Sequence, residues 1–336
     1  MDNTQKKIIS VTGIGNAIVD ITACVDDDFL KSCNIAKGSM KLINEDEAKK
    51  LHSNINASCM ISGGSVANTI AGLAVLGHKV AFIGKVKDDA LGKVFESEMK
   101  NLGVIFNTKK APEGSGNLST ASCIVLTTPD AQRTMNTCIG IAGELSSDDI
   151  EVGLIEKSRV VYIEGYLWDQ EIAKKAIIKA LKISKKTAAK VAFSLSDSFC
   201  VDRHRTEFID IINSFADIVF ANEDEIMSLF YTDVFGDAVS KCRKPGVVFA
   251  ITRSEKGSLI ISGKETVEVN AIKTNIVDST GAGDLYAAGF LSGYVKGKKF
   301  KECGKMGSIL ASEIITHIGT RPQKSLIEML SKHGFN

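Results

Sequence analysis

Between residues 160 and 195 the chain reads VVYIEGYLWDQEIAKKAIIKALKISKKTAAKVAFSL. Two short β-branched runs, Val160–Ile163 and Val191–Leu195, enclose a helical stretch over Glu171–Ser184. Short apolar runs bounded by polar or turn-forming residues suit buried strands. The unit continues downstream, where Ile218–Ala221 and Val247–Thr252 read as strands and Arg203–Ser214 and Glu223–Phe230 as helices. Strands separated by helices of this length predict right-handed crossovers and a parallel sheet covered on both faces. Upstream, Ile8–Ile14 is a compact apolar run ending in glycines, which suits a buried first strand. No internal repeat with a period of about 20–50 residues is visible, which argues against a solenoid.

Two segments depart from this alternation. Residues 17–43 and 112–140 contain period-two stretches, as in Ile18–Val25 and Ser122–Thr127, with few helical cues. They read as strands of a small separate sheet, inserted at two places and brought together in space. Over the open end of an α/β core such a sheet would act as a lid. The expected division is therefore a core of residues 1–16, 44–111 and 141–336 and a β lid of residues 17–43 and 112–140.

At 336 residues with 44% hydrophobic content, the chain can bury a large core. Its 41 basic and 40 acidic residues give a net charge of +1, and nothing in that balance favours nucleic acid or an anionic membrane. The eight cysteines form no C-x-x-C pair, and the five histidines show no zinc spacing against them. Free thiols in a reducing cytoplasm are the simplest account. The N-terminus, MDNTQKKIIS, has no apolar stretch long enough for a signal peptide. The longest apolar region, Ala71–Ile83, is broken by Gly72, Gly77, His78 and Lys79 and is not expected to cross a membrane. The expectation is a soluble, cytoplasmic protein.

The segment that most directly suggests chemistry is Val277-Asp278-Ser279-Thr280-Gly281-Ala282-Gly283-Asp284, followed by the helical run Leu285–Tyr294. Gly281 and Gly283 permit a tight turn and close approach by a ligand. The helix start offers unpaired N–H groups and a positive dipole end, a pocket for an anion such as a transferring phosphoryl group. Asp284 then stands where it could accept a proton from an attacking hydroxyl. A plain helix cap by Thr280 or Asp284 explains the same residues without catalysis.

Gly63-Gly64-Ser65-Val66-Ala67-Asn68 opens a second helix, running to about Leu76. Asn68, one turn in, could offer a donor and an acceptor to hydroxyls, while the bland alternative is a turn with Ser65 as cap. Gly13-Ile14-Gly15-Asn16 lacks the third glycine of a dinucleotide fingerprint, since Ile18 stands there, and no Walker A loop is present. If residues 16–20 are extended, Asn16 and Asp20 share a face that could bind a polyol. Asn222-Glu223-Asp224-Glu225 ends a buried strand; its acidic residues suit a helix dipole, or Glu225 orients magnesium water near phosphates. Arg133, in the expected lid, could neutralise phosphate charge on closure, although a lone arginine also serves as a surface residue.

Taken in order, these residues resemble the ribokinase (PfkB) family of carbohydrate and nucleoside kinases, from Gly13 to about Pro322. The Asp278–Asp284 segment is similar to the family's C-terminal signature, Gly63-Gly64 with Asn68 to its N-terminal signature, and Asn222 with Glu225 to its N-x-x-E motif. Within the family, Asn16 with Asp20-Ile21, Val25–Leu30, Tyr162–Tyr166 and Phe193–Ser196 resemble the adenosine kinase branch. The resemblance implies a three-layer α/β/α core with a mainly parallel sheet and a small discontinuous β-sheet lid. It further implies that Asp20 holds a ribose diol with help from Asn16, Asn68, Gly63 and Gly64, and that Tyr166 lies near the base. Arg133 would assist phosphoryl transfer, Gly281, Ala282 and Gly283 would form the anion hole, and Asp284 would be the catalytic base. ATP would sit among Asn222, Glu225, Thr252, Gly257 and Ser308, with Mg2+ held through water by Glu225. Asp278 and Thr280 would bear on a monovalent cation such as K+. Ser254 departs from the family pattern, where a glycine is usual.

The expected function is phosphoryl transfer from Mg·ATP to a hydroxyl, in first place the 5′-hydroxyl of adenosine. The alternatives are a sugar kinase for ribose, fructose or a related ketose, and a catalytically silent ligand-binding regulator. Expected partners are the small-molecule acceptor and ATP, with the chain a monomer or homodimer.

Overall fold

The structure, a computed structural model, describes residues 7–130 and 132–335. Residues 1–6, at the start of the expected core, Ala131 in the expected lid and the terminal Asn336 lie outside the described residues. Thirteen strands are described: β1 Ile9–Ile14, β2 Ile18–Cys24, β3 Met40–Leu42, β4 Cys59–Gly63, β5 Val80–Ile83, β6 Ala121–Thr127, β7 Arg133–Cys138, β8 Ser158–Glu164, β9 Lys190–Ser194, β10 Ile218–Asn222, β11 Val248–Thr252, β12 Ser258–Ser262 and β13 Glu265–Val269.

Eight of them form the main sheet, in the order β13-β12-β11-β10-β9-β8-β1-β5. From β5 to β11 neighbours are parallel, and β12 and β13 close the edge as an antiparallel hairpin. Alternate residues of each inner strand feed opposite apolar layers. Val160 and Tyr162 of β8 pack in one cluster, Val161 and Ile163 in the other. That two-sided burial is why the strands read as continuous apolar runs rather than as alternating ones. Helices Ser65–Val75, Ala282–Val295 and Phe300–Ile314 cover one face, and helices Glu171–Thr187, Ser198–Ser214 and Glu223–Phe230 the other. The result is the expected three-layer α/β/α core.

Helix Ala282–Val295 runs through the centre of its layer, with every residue from Leu285 to Gly293 buried. A helix apolar on all sides requires partners all round. Its glycines supply the room: a side chain at Gly289 would collide with the carbonyl of Met306 on helix Phe300–Ile314. On the other flank Gly72 of helix Ser65–Val75 lies against Ala288 and Leu285. This packing places the N-termini of helices Ser65–Val75 and Ala282–Val295 side by side.

The small sheet has the order β3-β7-β6-β2-β4. One strand corrects the expected division of the chain. Residues 44–111 were expected to lie wholly in the core, yet β4 pairs antiparallel with β2, placing Asp20 opposite Ile61. Helix Glu45–Ser53 also goes with the small sheet, since the Glu45 carboxylate accepts from Ser119 N at 2.9 Å and Ser119 Oγ at 2.8 Å. The physical reason is that β2 would otherwise present an unpaired edge, and the chain returns along it before entering helix Ser65–Val75.

Candidate active site

Gly281 is the N-cap of helix Ala282–Val295, in the left-handed region at φ 77°, with no side chain capping the helix. The cap explanation of Thr280 and Asp284 is therefore not the one realised. The Ala282 amide donates back to Ser279 O at 3.2 Å, so it is spent inside the turn. Among the described residues the amides of Gly281, Gly283 and Asp284 find no acceptor. Gly283 is exposed, and a side chain there would meet nothing within 4 Å, so the turn is open at that point and not sealed in the core. Amides of this kind at a helix N-terminus attract an anion.

Asp284 stands in the same first turn. Ser65 Oγ donates to its Oδ1 at 2.7 Å, and Asn68 Nδ2 donates to its Oδ2 at 2.9 Å. Thr69 Oγ1 donates to its backbone oxygen at 3.0 Å. Ser65 accordingly faces the carboxylate rather than capping its own helix, whose N-cap Gly64 makes no side-chain cap bond. Burial pushes the Asp284 carboxyl up to about 6, against the opposing hydrogen bonds of Asn68 and Ser65 and the charge of Arg321. A carboxylate so placed has an oxygen lone pair left for an incoming O–H.

Asp20 faces the same space from β2. Gly63 lies directly against its carboxylate, where any side chain would collide. Burial raises Asp20 to about 6; Arg321 and Arg133 pull the other way, and Asp284 and Glu98 add to the rise. Asn16 precedes β2, so the alternation argument does not place it. Its position comes from Glu164 at the end of β8, whose Oε1 accepts from both Asn16 N and Nδ2 at 2.8 Å. Glu164 Oε2 accepts from Val66 N at 3.1 Å. Gly15 leaves room for that carboxylate, and Gly64, at φ 97°, passes close to the Asn16 carbonyl. Burial raises Glu164 to about 7, opposed by its bonds to Asn16 and Val66.

Arg133, the first residue of β7, crosses from the small sheet to the glycine turn. Its Nη1 donates to both Asp278 Oδ2 and Thr280 Oγ1. Asp278 and Thr280, expected to bear on a monovalent cation, both accept from this guanidinium. The other Asp278 oxygen accepts from Thr280 N at 3.0 Å.

Of the remaining expected residues, Asn222 and Thr252 end β10 and β11 and Tyr166 follows the end of β8, the side on which ligands bind in open α/β sheets. Asn222 and Glu225 form a reciprocal capping box at the start of helix Glu223–Phe230. Glu225 is buried and raised to about 7 by that burial, its bond to Asn222 opposing and Asp197 and Asp224 adding to the rise. Among the described residues no three Asp, Glu, His or Cys side chains cluster closely enough to hold a metal by themselves. Glu225 alone fits a water-mediated contact to a metal that brings phosphate ligands of its own. Thr252 pairs with Asn222 across β10 and β11, and Gly257, at φ 87°, packs under the carbonyl of Val269. Ser254 adopts φ 50°, so the serine takes the left-handed conformation that glycine favours. Ser308 is buried on helix Phe300–Ile314. Tyr166 lies on the Glu225 side of the cleft: its hydroxyl donates to Ser196 O at 3.3 Å, and Asp197, Glu225 and Glu164 join burial in raising its pKa.

A family description, "pfkB family carbohydrate kinase", matches residues 34–326. The chain belongs to the PfkB family. Two solved structures are similar along nearly their whole length. A probable sugar kinase from Rhizobium etli is 41% identical, with a TM-score of 0.89, covering 98% of this chain and 99% of that one. An adenosine kinase from Sinorhizobium meliloti is 44% identical, with a TM-score of 0.88, covering 97% and 99%. An uncharacterized sugar kinase from Archaeoglobus fulgidus is 28% identical over 255 residues, 74% of this chain and 96% of that protein. The ribokinase-like fold expected from the sequence is the one found. This PfkB protein is a phosphotransferase with an alcohol group as acceptor, a sugar or nucleoside kinase. Among the described residues no helix is long and apolar enough to cross a membrane.

Ser65, Glu164, Glu98 and Arg321 were not singled out as site residues in the sequence. Ser65 could have been found from its place beside the glycine pair, and Glu164 from the end of a buried strand. Arg321 carries no periodic signal at all.

Proposed function

We propose that this PfkB protein transfers the γ-phosphoryl group of Mg·ATP to the 5′-hydroxyl of adenosine, giving AMP and ADP. The observation that carries it is Asp284, gripped at both oxygens in the first turn of a helix whose neighbouring amides at 281, 283 and 284 are free. The acceptor oxygen attacks the γ-phosphorus in line, its proton passes to Asp284, and the bond to the ADP oxygen breaks. Because the transition state is loose, alignment and charge neutralisation are the main requirements, and the free amides together with Arg133 serve them. Magnesium would supply further neutralisation of the phosphates, held through water by Glu225. Asp20, seated on Gly63, would take the ribose diol.

A nucleoside acceptor is favoured by the likeness to the Sinorhizobium meliloti adenosine kinase. The likeness to a probable sugar kinase at 41% identity favours the second reading, a ribose- or ketose-phosphorylating enzyme. Coupled ADP release, measured over nucleosides and sugars with and without magnesium, separates them. The expected result is a kcat/KM for adenosine at least about 100-fold above that for any sugar. A sugar turned over faster than adenosine overturns the nucleoside assignment. Absence of ADP release with every acceptor overturns the proposal as a whole.

A further inference from the structure

Arg321 lies in the loop after helix Phe300–Ile314 and reaches between helix Ser65–Val75 and β4. Its Nη1 donates to Asn68 Oδ1 at 2.6 Å and to Thr320 O at 3.2 Å. Its Nη2 donates to Ser62 Oγ at 2.7 Å and to Ser62 O. Burial pulls its pKa down, and the charges of Asp20, Glu98 and Asp284 oppose that shift. The guanidinium thus bonds to Asn68, Thr320 and Ser62 and lies within the charge field of Asp20, Glu98 and Asp284 without contacting any of them.

The loop that presents it is anchored from behind. Glu313 is buried, and its Oε1 accepts from Gln323 N and Lys324 N at 3.0 Å and lies 3.1 Å from His317 Nε2. Gly319 N reaches Asp278 Oδ2 at 3.4 Å. The segment is therefore pinned on both sides of Arg321.

Donor and acceptor chemistry then dictates the orientation of Asn68. A guanidinium can only donate, so the Asn68 atom facing it must be the amide oxygen. An ionised carboxylate can only accept, so the atom facing Asp284 must be the amide nitrogen. With Arg321 in place both ends agree. Without it, the Asn68 amide loses the partner that prevents its rotation. The donor contacts to Asn68, Thr320 and Ser62 also leave the cation committed to protein atoms, which suits a neutral acceptor over an anionic one.

We propose that Arg321 is a positioning residue: by holding Asn68 Oδ1 it aims Asn68 Nδ2 at Asp284, fixing the carboxylate for the acceptor hydroxyl, and its charge lets Asp20 and Asp284 be ionised together. The proposal rests on the reading of Asp284 as base. Asp284 is faced by Ser65 and Asn68 from helix Ser65–Val75, by Asp20 from β2, by Tyr162 and Glu164 from β8, and by Arg321. Among these Arg321 is the cation; Asp20 is in addition faced by Arg133 from β7 and by Glu98.

The experiment compares Arg321→Met, Arg321→Lys and Asp284→Asn with the unaltered enzyme, using the pH profile of kcat/KM and the division between kcat and KM. Arg321→Met is expected to lower kcat about 10- to 100-fold and to move the acidic limb up by about one pH unit. Arg321→Lys keeps the charge, so the limb returns toward its original place. Its kcat stays low, because an ammonium cannot reproduce the paired contacts to Asn68 and Ser62. A folded Arg321→Met with unchanged kcat and unchanged limb overturns the proposal. If Arg321→Met does not fold, unaltered kcat in Arg321→Lys overturns it. Near-normal turnover in Asp284→Asn overturns the base assignment itself; an inactive Asp284→Asn with unchanged Arg321 variants overturns only the role of Arg321.

Discussion

Arg133 of the small sheet and Asp278 of the core form an ion pair that ties β7 to the turn leading into helix Ala282–Val295. Both side chains are largely withdrawn from water, at 13% and 5% exposure, so the pair is not a screened surface contact. Arg133→Ala leaves Asp278 buried without its cation, a loss of about 3–5 kcal/mol of stability for a pair of this kind. The same substitution is expected to lower kcat by about 10³-fold if the guanidinium also meets the transferring phosphoryl group. Denaturant unfolding of Arg133→Ala, Asp278→Ala and the double variant checks the first statement. A double variant as unstable as the sum of the singles would refute the coupling.

Asp284 links activity and stability to pH in opposite senses. As a base it must be ionised, so kcat/KM should rise as pH rises through about 6, with the apparent value shared with Asp20, which titrates at about 6 as well. Its folded pKa is raised above the carboxylate value of 3.8, so the folded state holds a proton that the unfolded state has lost between about 4 and 6. Ionised Asp284 therefore opposes folding, and its unfavourable contribution develops as pH rises through that window and is complete above it. Asp284→Asn removes the term. The stability of Asp284→Asn relative to the unaltered protein should grow from pH 4 to about 6 and then level off, while turnover falls about 10³-fold. Chemical denaturation across that range, paired with ADP release, tests both halves.

Gly63 and Asp20 give a separable test of acceptor binding. Gly63 does not have a positive φ, so alanine is tolerated by the backbone, but its methyl group displaces the Asp20 carboxylate. Gly63→Ala and Asp20→Asn should raise the acceptor KM similarly, by about 10- to 100-fold, the range for losing hydrogen bonds to a charged group. Both should leave kcat within about threefold. Steady-state kinetics with a varied acceptor decides the matter; a selective fall in kcat would assign Asp20 to the chemical step.

Glu225 supplies the test of magnesium. Replacing the carboxylate by the amide in Glu225→Gln should raise the magnesium concentration for half-maximal rate about 10-fold, the usual cost of removing an outer-shell partner. Since burial raises Glu225 to about 7, the unaltered enzyme should need more magnesium below that pH than above it. A magnesium titration at two pH values measures both effects. Equal requirements in the two proteins would remove Glu225 from the metal site.

The alternation from Val160 to Thr252 was legible because two-sided burial forces apolar runs at strand spacing and one-sided helices between them, a pattern that survives without tertiary information. The strand Cys59–Gly63 was not legible. It is short, its first residues are exposed, and it runs straight into the glycines that open helix Ser65–Val75. Asp284, Asn68 and the glycines around them could be read because a helix N-terminus and a glycine pair are local devices with local signals. Ser65 was visible only as a cap, since nothing in the sequence tells a serine at a helix start whether its hydroxyl turns to its own backbone or across to another helix. Arg321 has no local signal; its partners Asn68 and Ser62 lie 253 and 259 residues away in the chain.

The amino-acid sequence by itself determined the layer architecture, the two glycine-bearing helix starts and the chemistry available at each, because these follow from backbone conformation and burial over a few consecutive residues. Only the tertiary structure decided which groups meet: that Ser65 and Asn68 grip Asp284, that Arg133 holds Asp278 and Thr280, and that Arg321 stands among the carboxylates. Contacts between distant segments depend on how the central helix Ala282–Val295 packs against its neighbours, and that packing is a property of the whole core.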